Sequence, residues 1–117
     1  MATLELLRHE PDIRSFPAGA KIFAIGDPAD CMYAVVEGSV EIRLNDVVVE
    51  RVASGGVFGE MGLIDAKPRS ALAVAETACK LAVIGEKRFL RLVELTPQFA
   101  LQMMRVTTER LRRQGPK

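Results

Sequence analysis

The chain has 117 residues, of which 49% are hydrophobic, and this length is enough for one folded core but not for two separate domains. Its 16 basic and 15 acidic side chains nearly cancel to a net charge of +1, so the whole molecule has no general attraction to nucleic acid or to anionic membranes. We therefore predict a single domain over residues 1–117, with a β region at about 14–84 and C-terminal helices at about 86–114.

The first predicted element is a short helix at residues 4–8, which Pro11 ends. After Phe16-Pro17-Ala18-Gly19, short segments rich in Val, Ile, Ala and Leu alternate with turn residues, which is typical of β-strands. These segments are 21–25, 31–36, 39–44, 47–52, 70–75 and 78–84. Between two of them, Asn45-Asp46 predicts a two-residue hairpin turn. Six or more short strands in this length predict a mainly β fold, an antiparallel β-roll or jelly-roll-like barrel.

Two helices are predicted after residue 86. An apolar stripe identifies the first, and its members are Phe89, Leu90, Leu92 and Val93. Thr96 and Pro97 supply a cap and a first residue for the second, which runs to about residue 114. One side of this second helix is expected to pack on the barrel through Ala100, Met103, Met104, Thr107 and Leu111, with a dimer seam as the alternative. Its basic residues are interpreted as cations that complement the C-terminal end of the helix.

A glycine-rich segment lies between the predicted fourth and fifth strands, at residues 55–71. Its glycines let backbone amides approach a ligand closely, and residues 60–65 predict a short helix with unpaired N–H groups in its first turn. Arg69 can pair with two phosphate oxygens, and an ionised Glu60 can accept hydrogen bonds from a sugar hydroxyl. A sugar phosphate satisfies both side chains. Glycine-rich turns and Glu–Arg pairs also occur for purely structural reasons, so both interpretations stay open on these residues alone.

The same segment resembles the phosphate-binding cassette of the cyclic-nucleotide-binding domain family, which includes bacterial catabolite activator proteins, regulatory subunits of protein kinase A and cyclic-nucleotide-gated channels. The resemblance lies in the order and spacing of Phe58-Gly59-Glu60-Met61-Gly62-Leu63 and Pro68-Arg69-Ser70-Ala71. It extends over nearly the whole chain, through Pro17-Ala18-Gly19, Ile25-Gly26-Asp27-Pro28, Val36-Glu37-Gly38-Ser39-Val40 and Thr96-Pro97. It implies a β-roll with a short N-terminal helix, a short cassette helix and two C-terminal helices.

The resemblance also implies a function and a site. Glu60 would accept from the ribose 2′-hydroxyl, and Arg69 would pair with oxygens of the cyclic phosphate. The expected ligand-binding residues are Gly59, Glu60, Met61, Gly62, Leu63, Arg69 and Ser70. The protein would be a sensor of cAMP, possibly of cGMP, that signals through movement of its terminal helices to a protein partner.

Other features of the sequence narrow the remaining function classes. His9 is the only histidine, and no His, Cys, Asp or Glu cluster has metal-ligand spacing, so we expect no catalysis, metal or cofactor. Cys31 and Cys79 lie far apart in apolar runs, which favours free thiols in a reducing compartment. The chain carries no signal peptide or membrane-spanning run, which predicts a cytoplasmic protein.

Two alternative functions stay open on the sequence alone. The chain ends at Lys117 without a helix-turn-helix pattern, so a DNA-binding domain is not expected. We expect a monomer or a weak dimer. Four arginines between residues 105 and 113 would allow nucleic-acid binding, but no aromatic residues accompany them. The stronger alternative to a sensor is an interaction module of the same fold, independent of nucleotide, that holds an acidic partner on this basic helix.

Overall fold

Two antiparallel sheets of four strands each form the centre of the protein, in a computed structural model that describes residues 6–113. The strands are β1 (Ile13–Phe16), β2 (Lys21–Phe23), β3 (Cys31–Glu37), β4 (Ser39–Leu44), β5 (Val47–Ala53), β6 (Val57–Phe58), β7 (Leu72–Ala75) and β8 (Cys79–Gly85). The helices are a 3-10 turn (Leu7–His9), α1 (Glu60–Asp65), α2 (Glu86–Leu95) and α3 (Gln98–Arg113). One sheet has the order β1-β8-β3-β6 and the other β2-β7-β4-β5. This confirms the predicted antiparallel β-roll with flanking helices.

Most element positions agree with the predictions, and the main differences are two short strands and the N-terminal helix. Strand β4 and helix α1 have the predicted bounds. Strands β1 and β6 were not predicted, because β1 is an edge strand that buries little of its surface and β6 has only two residues. At the N-terminus a 3-10 turn at Leu7–His9 takes the place of the predicted helix, whose residues 4 and 5 lie outside the described residues.

The predicted hairpin turn is confirmed by the backbone. Asn45 and Asp46 have φ values of 53° and 63°, and Leu44 pairs with Val47 across the turn. Both central residues of a type I′ turn need positive φ, which Asn and Asp tolerate better than other side chains. The turn thereby sets the register of β4 against β5 as far as Arg43 and Val48. The register then shifts, so that Ile42 pairs with Glu50, and both residues line the pocket described below.

Strand β3 is buried on both faces, which explains its nearly continuous apolar sequence. Met32 and Ala34 belong to a core cluster under the helices, whereas Tyr33 and Val35 point into a second cluster between the two sheets. Side chains of a strand alternate between faces, so one strand contributes to both clusters. The sheet that contains β3 is therefore the middle layer of the molecule, with helices on one face and the other sheet on the opposite face.

Helix α3 packs on the roll through Phe99, Met103 and Val106, which lie four and three residues apart on one helical face. The predicted packing side was wrong for Met104 and Leu111, which are 61% and 52% exposed. These two residues are rotated away from the buried stripe by about one residue's turn. On α2 the same correction applies to Leu90, which is 59% exposed. Arg110 lies four residues after Val106, on the same helical face as the buried stripe.

The beginning of α3 differs from the prediction in one detail. The helix starts at Gln98, one residue after Pro97, and the backbone oxygen of Thr96 accepts a hydrogen bond from the N–H of Phe99. Within the described residues, the first turn is therefore closed by the backbone oxygen of Thr96, and the Thr96 hydroxyl accepts no capping hydrogen bond.

The N-terminal segment is joined to α2 by a bidentate ion pair. Arg88 donates from Nε and Nη2 to the two carboxylate oxygens of Glu10, at 2.7 and 2.9 Å. Leu7 is fully buried in the same cluster as Leu92 of α2. Both cysteines are free, as predicted, and burial raises the pKa of the Cys79 thiol. None of the helices within residues 6–113 is long and apolar enough to cross a membrane.

Candidate functional site

A pocket of about 270 Å³ opens between α1 and the sheet that contains β4 and β5. Most of its lining lies between Phe58 and Ala71, which is the segment that the sequence singled out. The remaining lining residues are Phe23, Ile42, Glu50 and Arg110. The pocket therefore combines one continuous segment with side chains from neighbouring strands and from the C-terminal helix.

Backbone conformation brings the two ends of this segment together. Gly59 has a φ of 81° and precedes α1, and a Cβ atom there would lie 2.9 Å from Nη1 of Arg69. After α1, the N–H of Lys67 donates to Oδ1 of Asp65 at 3.0 Å, which shapes the loop that leads to Arg69. The backbone of Arg69 then exchanges two hydrogen bonds with the β2–β3 loop, at Gly26 and Asp27. The guanidinium is thereby placed beside the start of α1.

Arg69 is a buried cation without a carboxylate partner among residues 6–113. Its exposed fraction is 6%, and its guanidinium donates from Nη1 to the carbonyl oxygen of Gly59 at 2.9 Å and from Nη2 to that of Cys31 at 2.5 Å. The guanidinium carbon lies 4.2 Å from the centre of the Phe23 ring, which is cation–π geometry. Its Nε is buried and has no hydrogen-bond partner. A buried charge in this condition is costly unless an anion pairs with it.

Glu60 is equally buried but is paired. It is 1% exposed, and its Oε1 accepts from Nη1 of Arg110 at 2.6 Å. Arg110 also donates from Nε and Nη2 to Glu50, at 3.0 and 2.9 Å, and from Nη2 to the carbonyl oxygen of Val57. Burial lowers the pKa of Arg110, but its hydrogen bonds and charge interactions with Glu50 and Glu60 outweigh burial and raise the pKa above its ordinary value. The end of α3 is thus held on the pocket by an ion-pair triad.

The structure brings together all but one of the predicted site residues. Gly59, Glu60, Met61, Gly62, Arg69 and Ser70 line the pocket. Leu63 lies instead against the core cluster under the helices. Gly62 is packed tightly as well, since a Cβ atom there would lie 2.3 Å from the Cβ of Ala29. Its glycine is therefore required by packing of α1 against the β2–β3 loop.

Sequence reasoning missed Glu50 and Arg110 as pocket residues. Arg110 lies in the last turn of α3, as predicted for the basic residues, but its side chain is only 11% exposed and is also ion-paired with Glu60, which the sequence did not indicate. The spacing of three and four residues from Met103 through Val106 to Arg110 was the available signal. The described residues contain no cluster of His, Cys, Asp and Glu that could hold a metal ion.

The chain is similar to known proteins over most of its length. The model of the cyclic nucleotide-binding domain family matches residues 13–95. The chain is 39% identical over 97 residues to a cyclic nucleotide-gated potassium channel of Mesorhizobium japonicum, covering 83% of this chain and 27% of the channel. It is 40% identical over 84 residues to a cAMP-dependent protein kinase regulatory subunit of Aspergillus niger, covering 70% of this chain and 20% of the subunit.

A solved structure extends the similarity to three dimensions. The catabolite activator protein of Thermus thermophilus superposes with a TM-score of 0.82 at 29% identity, over 95% of this chain and 55% of that protein. The chain therefore spans about half or less of the length of these relatives.

Proposed function

The chain belongs to the cyclic nucleotide-binding domain family, and we propose that it is a non-catalytic sensor that binds cAMP in the pocket beside Arg69 and Glu60. The observation that carries this proposal is the buried guanidinium of Arg69, which has no ion pair with a carboxylate within residues 6–113 and keeps an unpartnered Nε. Burying an arginine in this way carries a desolvation cost, which a bound anion would offset. A cyclic phosphate is an anion of suitable size and geometry for one guanidinium edge.

The donors of Arg69 support a side-on pairing with phosphate. A guanidinium has five N–H donors, and Arg69 uses one on Nη1 and one on Nη2 for the carbonyl oxygens of Gly59 and Cys31. The Nε–H and one Nη2–H lie on the same edge of the planar group, where Nε has no partner and Nη2 makes a long contact of 3.8 Å with Sγ of Cys31 besides its bond to the carbonyl oxygen. Those two donors would take two phosphate oxygens, while the two carbonyl bonds keep the side chain in position.

The carboxylate of Glu60 supports the assignment of a ribose. Its bond to Arg110 ends on Oε1, and a carboxylate has lone pairs for further donors. A ribose 2′-hydroxyl next to the phosphate would donate to this group. The relative from Aspergillus niger is named for its dependence on cAMP, which favours adenine as the base. Guanine remains the second base to test.

Calorimetric titration of the purified protein with cAMP, cGMP and AMP tests the proposal. AMP is the matched control, because it keeps the base and the ribose but lacks the cyclic phosphate. At about 100 times the dissociation constant, a cyclic nucleotide is expected to stabilise the fold by about 2.7 kcal/mol and to raise the Tm by about 10 °C. Tight binding of cGMP alone would mean that the ligand's base is guanine and not adenine. If neither cyclic nucleotide binds, the sensor proposal is wrong.

The ion-pair triad gives this sensor a route to its C-terminal helix. Glu60 lines the pocket and is bonded to Arg110 of α3, so a ligand hydroxyl at Glu60 would meet the same carboxylate that holds the helix. We expect cAMP to narrow the distribution of distances between spin labels at the exposed Val49 of β5 and the exposed Leu111 of α3. Labels that report the same distribution with and without cAMP would rule out this output.

The alternative, a nucleotide-independent module that binds an acidic partner on the basic helix, has fewer arginines to offer, because Arg110 is engaged by Glu50 and Glu60 and Arg113 lies 3.6 Å from Glu50. No other contact in the described residues favours it. A cytoplasmic location and a protein partner that responds to the terminal helices stay predictions.

A further inference from the structure

Arg110 divides its donors between two carboxylates, and we infer that this division makes Glu50 a positioning residue for ribose recognition. Glu50 holds the Nε edge of Arg110 and so limits Glu60 to one bond from that arginine, which leaves the second oxygen of Glu60 for the ligand's 2′-hydroxyl. The inference rests on the proposed function, since it concerns how the same pocket recognises a cyclic nucleotide.

The hydrogen bonds of the triad are distributed unevenly. Arg110 gives Nε to both oxygens of Glu50, at 3.0 and 3.1 Å, and Nη2 to Oε2 of Glu50 at 2.9 Å. Only Nη1 reaches Glu60, and it reaches Oε1 alone, at 2.6 Å. Nη2 is further occupied by the carbonyl oxygen of Val57. Glu50 therefore binds the Nε edge of the guanidinium of Arg110. Without this contact, the guanidinium would be free to rotate toward Glu60.

Without Glu50, the pairing between Arg110 and Glu60 would change. Arginine and carboxylate groups favour a bidentate arrangement with two parallel N–H···O bonds. In that arrangement both oxygens of Glu60 accept from Arg110, and a ligand hydroxyl must compete with a charge-assisted bond. Glu50 on Nε and Nη2, together with the carbonyl oxygen of Val57 on Nη2, occupies the donors that a second bond to Glu60 would need, which keeps Glu60 available as an acceptor.

Because Glu60 is buried, the hydrogen-bond donors that reach it from the protein determine whether its second oxygen is available to a ligand. Glu60 is 1% exposed, so water has little access to compensate an oxygen that loses or gains a partner. Glu50 lies nearer the rim with its side chain 23% exposed, and Arg113 approaches it at 3.6 Å from a side chain that is 63% exposed. The negative charge of Glu50 is thus balanced near the surface by Arg113, while Glu60 stays buried in the wall of the ligand pocket.

The test is the ratio of two dissociation constants, that of 2′-deoxy-cAMP divided by that of cAMP, measured by calorimetry. For the parent protein we expect a ratio of at least about tenfold, because the deoxy compound lacks the donor to Glu60. Glu50→Gln is expected to reduce the ratio to less than about threefold, mainly through weaker cAMP binding, because Glu60 becomes occupied by Arg110 on both oxygens.

A rescue separates positioning from a merely structural role. Adding Arg110→Lys to Glu50→Gln replaces the planar fork by a compact ammonium group, which has no bidentate geometry. The ratio is expected to rise again above that of Glu50→Gln. Glu41→Gln is the matched control, because Glu41 is 8% exposed and is paired with Arg43 and Arg51 on the same sheet, away from the pocket. Its ratio is expected to equal the parent's.

Each outcome of these titrations either supports the positioning role of Glu50 or overturns it. A Glu50→Gln variant that binds cAMP with the parental ratio overturns the inference and leaves the sensor proposal intact, and so does a double variant without recovery. A parent that binds neither nucleotide overturns the proposed function and this inference together. If Glu50→Gln does not fold in a thermal melt, Glu50→Asp replaces it, because its shorter carboxylate cannot reach Nε and Nη2 together. An unchanged ratio in Glu50→Asp then overturns the positioning role.

Discussion

Arg69→Ala is expected to lower the affinity for cAMP at least tenfold. The substitution removes the one buried cation of the pocket that has no carboxylate partner in the described residues, and with it the two donors assigned to phosphate. A hydrogen bond to a charged group contributes about 1.5–3 kcal/mol, and about 1.4 kcal/mol corresponds to a factor of ten in the dissociation constant. Isothermal titration with cAMP measures the loss directly.

Two further variants make this prediction specific. Arg69→Lys keeps a positive charge but loses the planar fork, so its affinity is expected to lie between those of the parent and Arg69→Ala. Arg14→Ala is the control, because it removes an exposed arginine of β1 that pairs with Asp12 and lies outside the pocket. Parental affinity in Arg69→Ala, with the variant shown to be folded by its melt, would mean that the phosphate lies elsewhere.

Gly62→Ala is expected to lower the free energy of unfolding by about 1–3 kcal/mol and to weaken cAMP binding, because the added methyl group overpacks the contact with the β2–β3 loop. The new Cβ would lie 2.3 Å from the Cβ of Ala29, and one of the two backbones must move. Helix propensity alone gives the opposite sign, since alanine is favoured over glycine by about 1 kcal/mol within a helix. Urea denaturation measures both the sign and the size of the change.

A second-site substitution tests the stated cause. Ala29→Gly removes the methyl group that the new side chain meets, so the double variant is expected to recover most of the stability and of the affinity. Gly85→Ala is the matched control, because the nearest atom to its Cβ is the carbonyl oxygen of Asp30 at 3.8 Å, an ordinary contact. If Gly62→Ala stabilises the protein, helix propensity dominates and the packing argument is wrong.

The fold was predictable wherever a local pattern specifies the backbone. Asn45-Asp46 predicted the hairpin because few residue pairs accept positive φ at two successive positions. The alternating apolar residues of 39–44 predicted β4 with its observed bounds. Strands β1 and β6 carry no such pattern: β1 is mostly exposed, and β6 depends on its pairing with β3. Their existence follows from partners that are distant in the chain.

The candidate site was also predicted only where a local pattern in the sequence specifies it. The segment from Gly59 to Ser70 was identified from its residues, and the pocket forms around it. The partners of its charged residues were not identified. Glu60 is bonded to an arginine 50 residues away, and Arg69 is held by the carbonyl oxygen of Cys31, 38 residues away. Backbone acceptors carry no sequence signal, because every residue has a carbonyl group.

The sequence by itself determined six of the eight strands, the helices after residue 59, the hairpin turn and the segment that lines the pocket, since each depends on neighbours along the chain. Only the tertiary structure decided that α3 presents Arg110 to the pocket and leaves Met104 and Leu111 exposed. The reason is that the rotation of a helix on a sheet is set by the packing of Phe99 and Met103 against the core, and that contact joins parts of the chain that no local pattern relates.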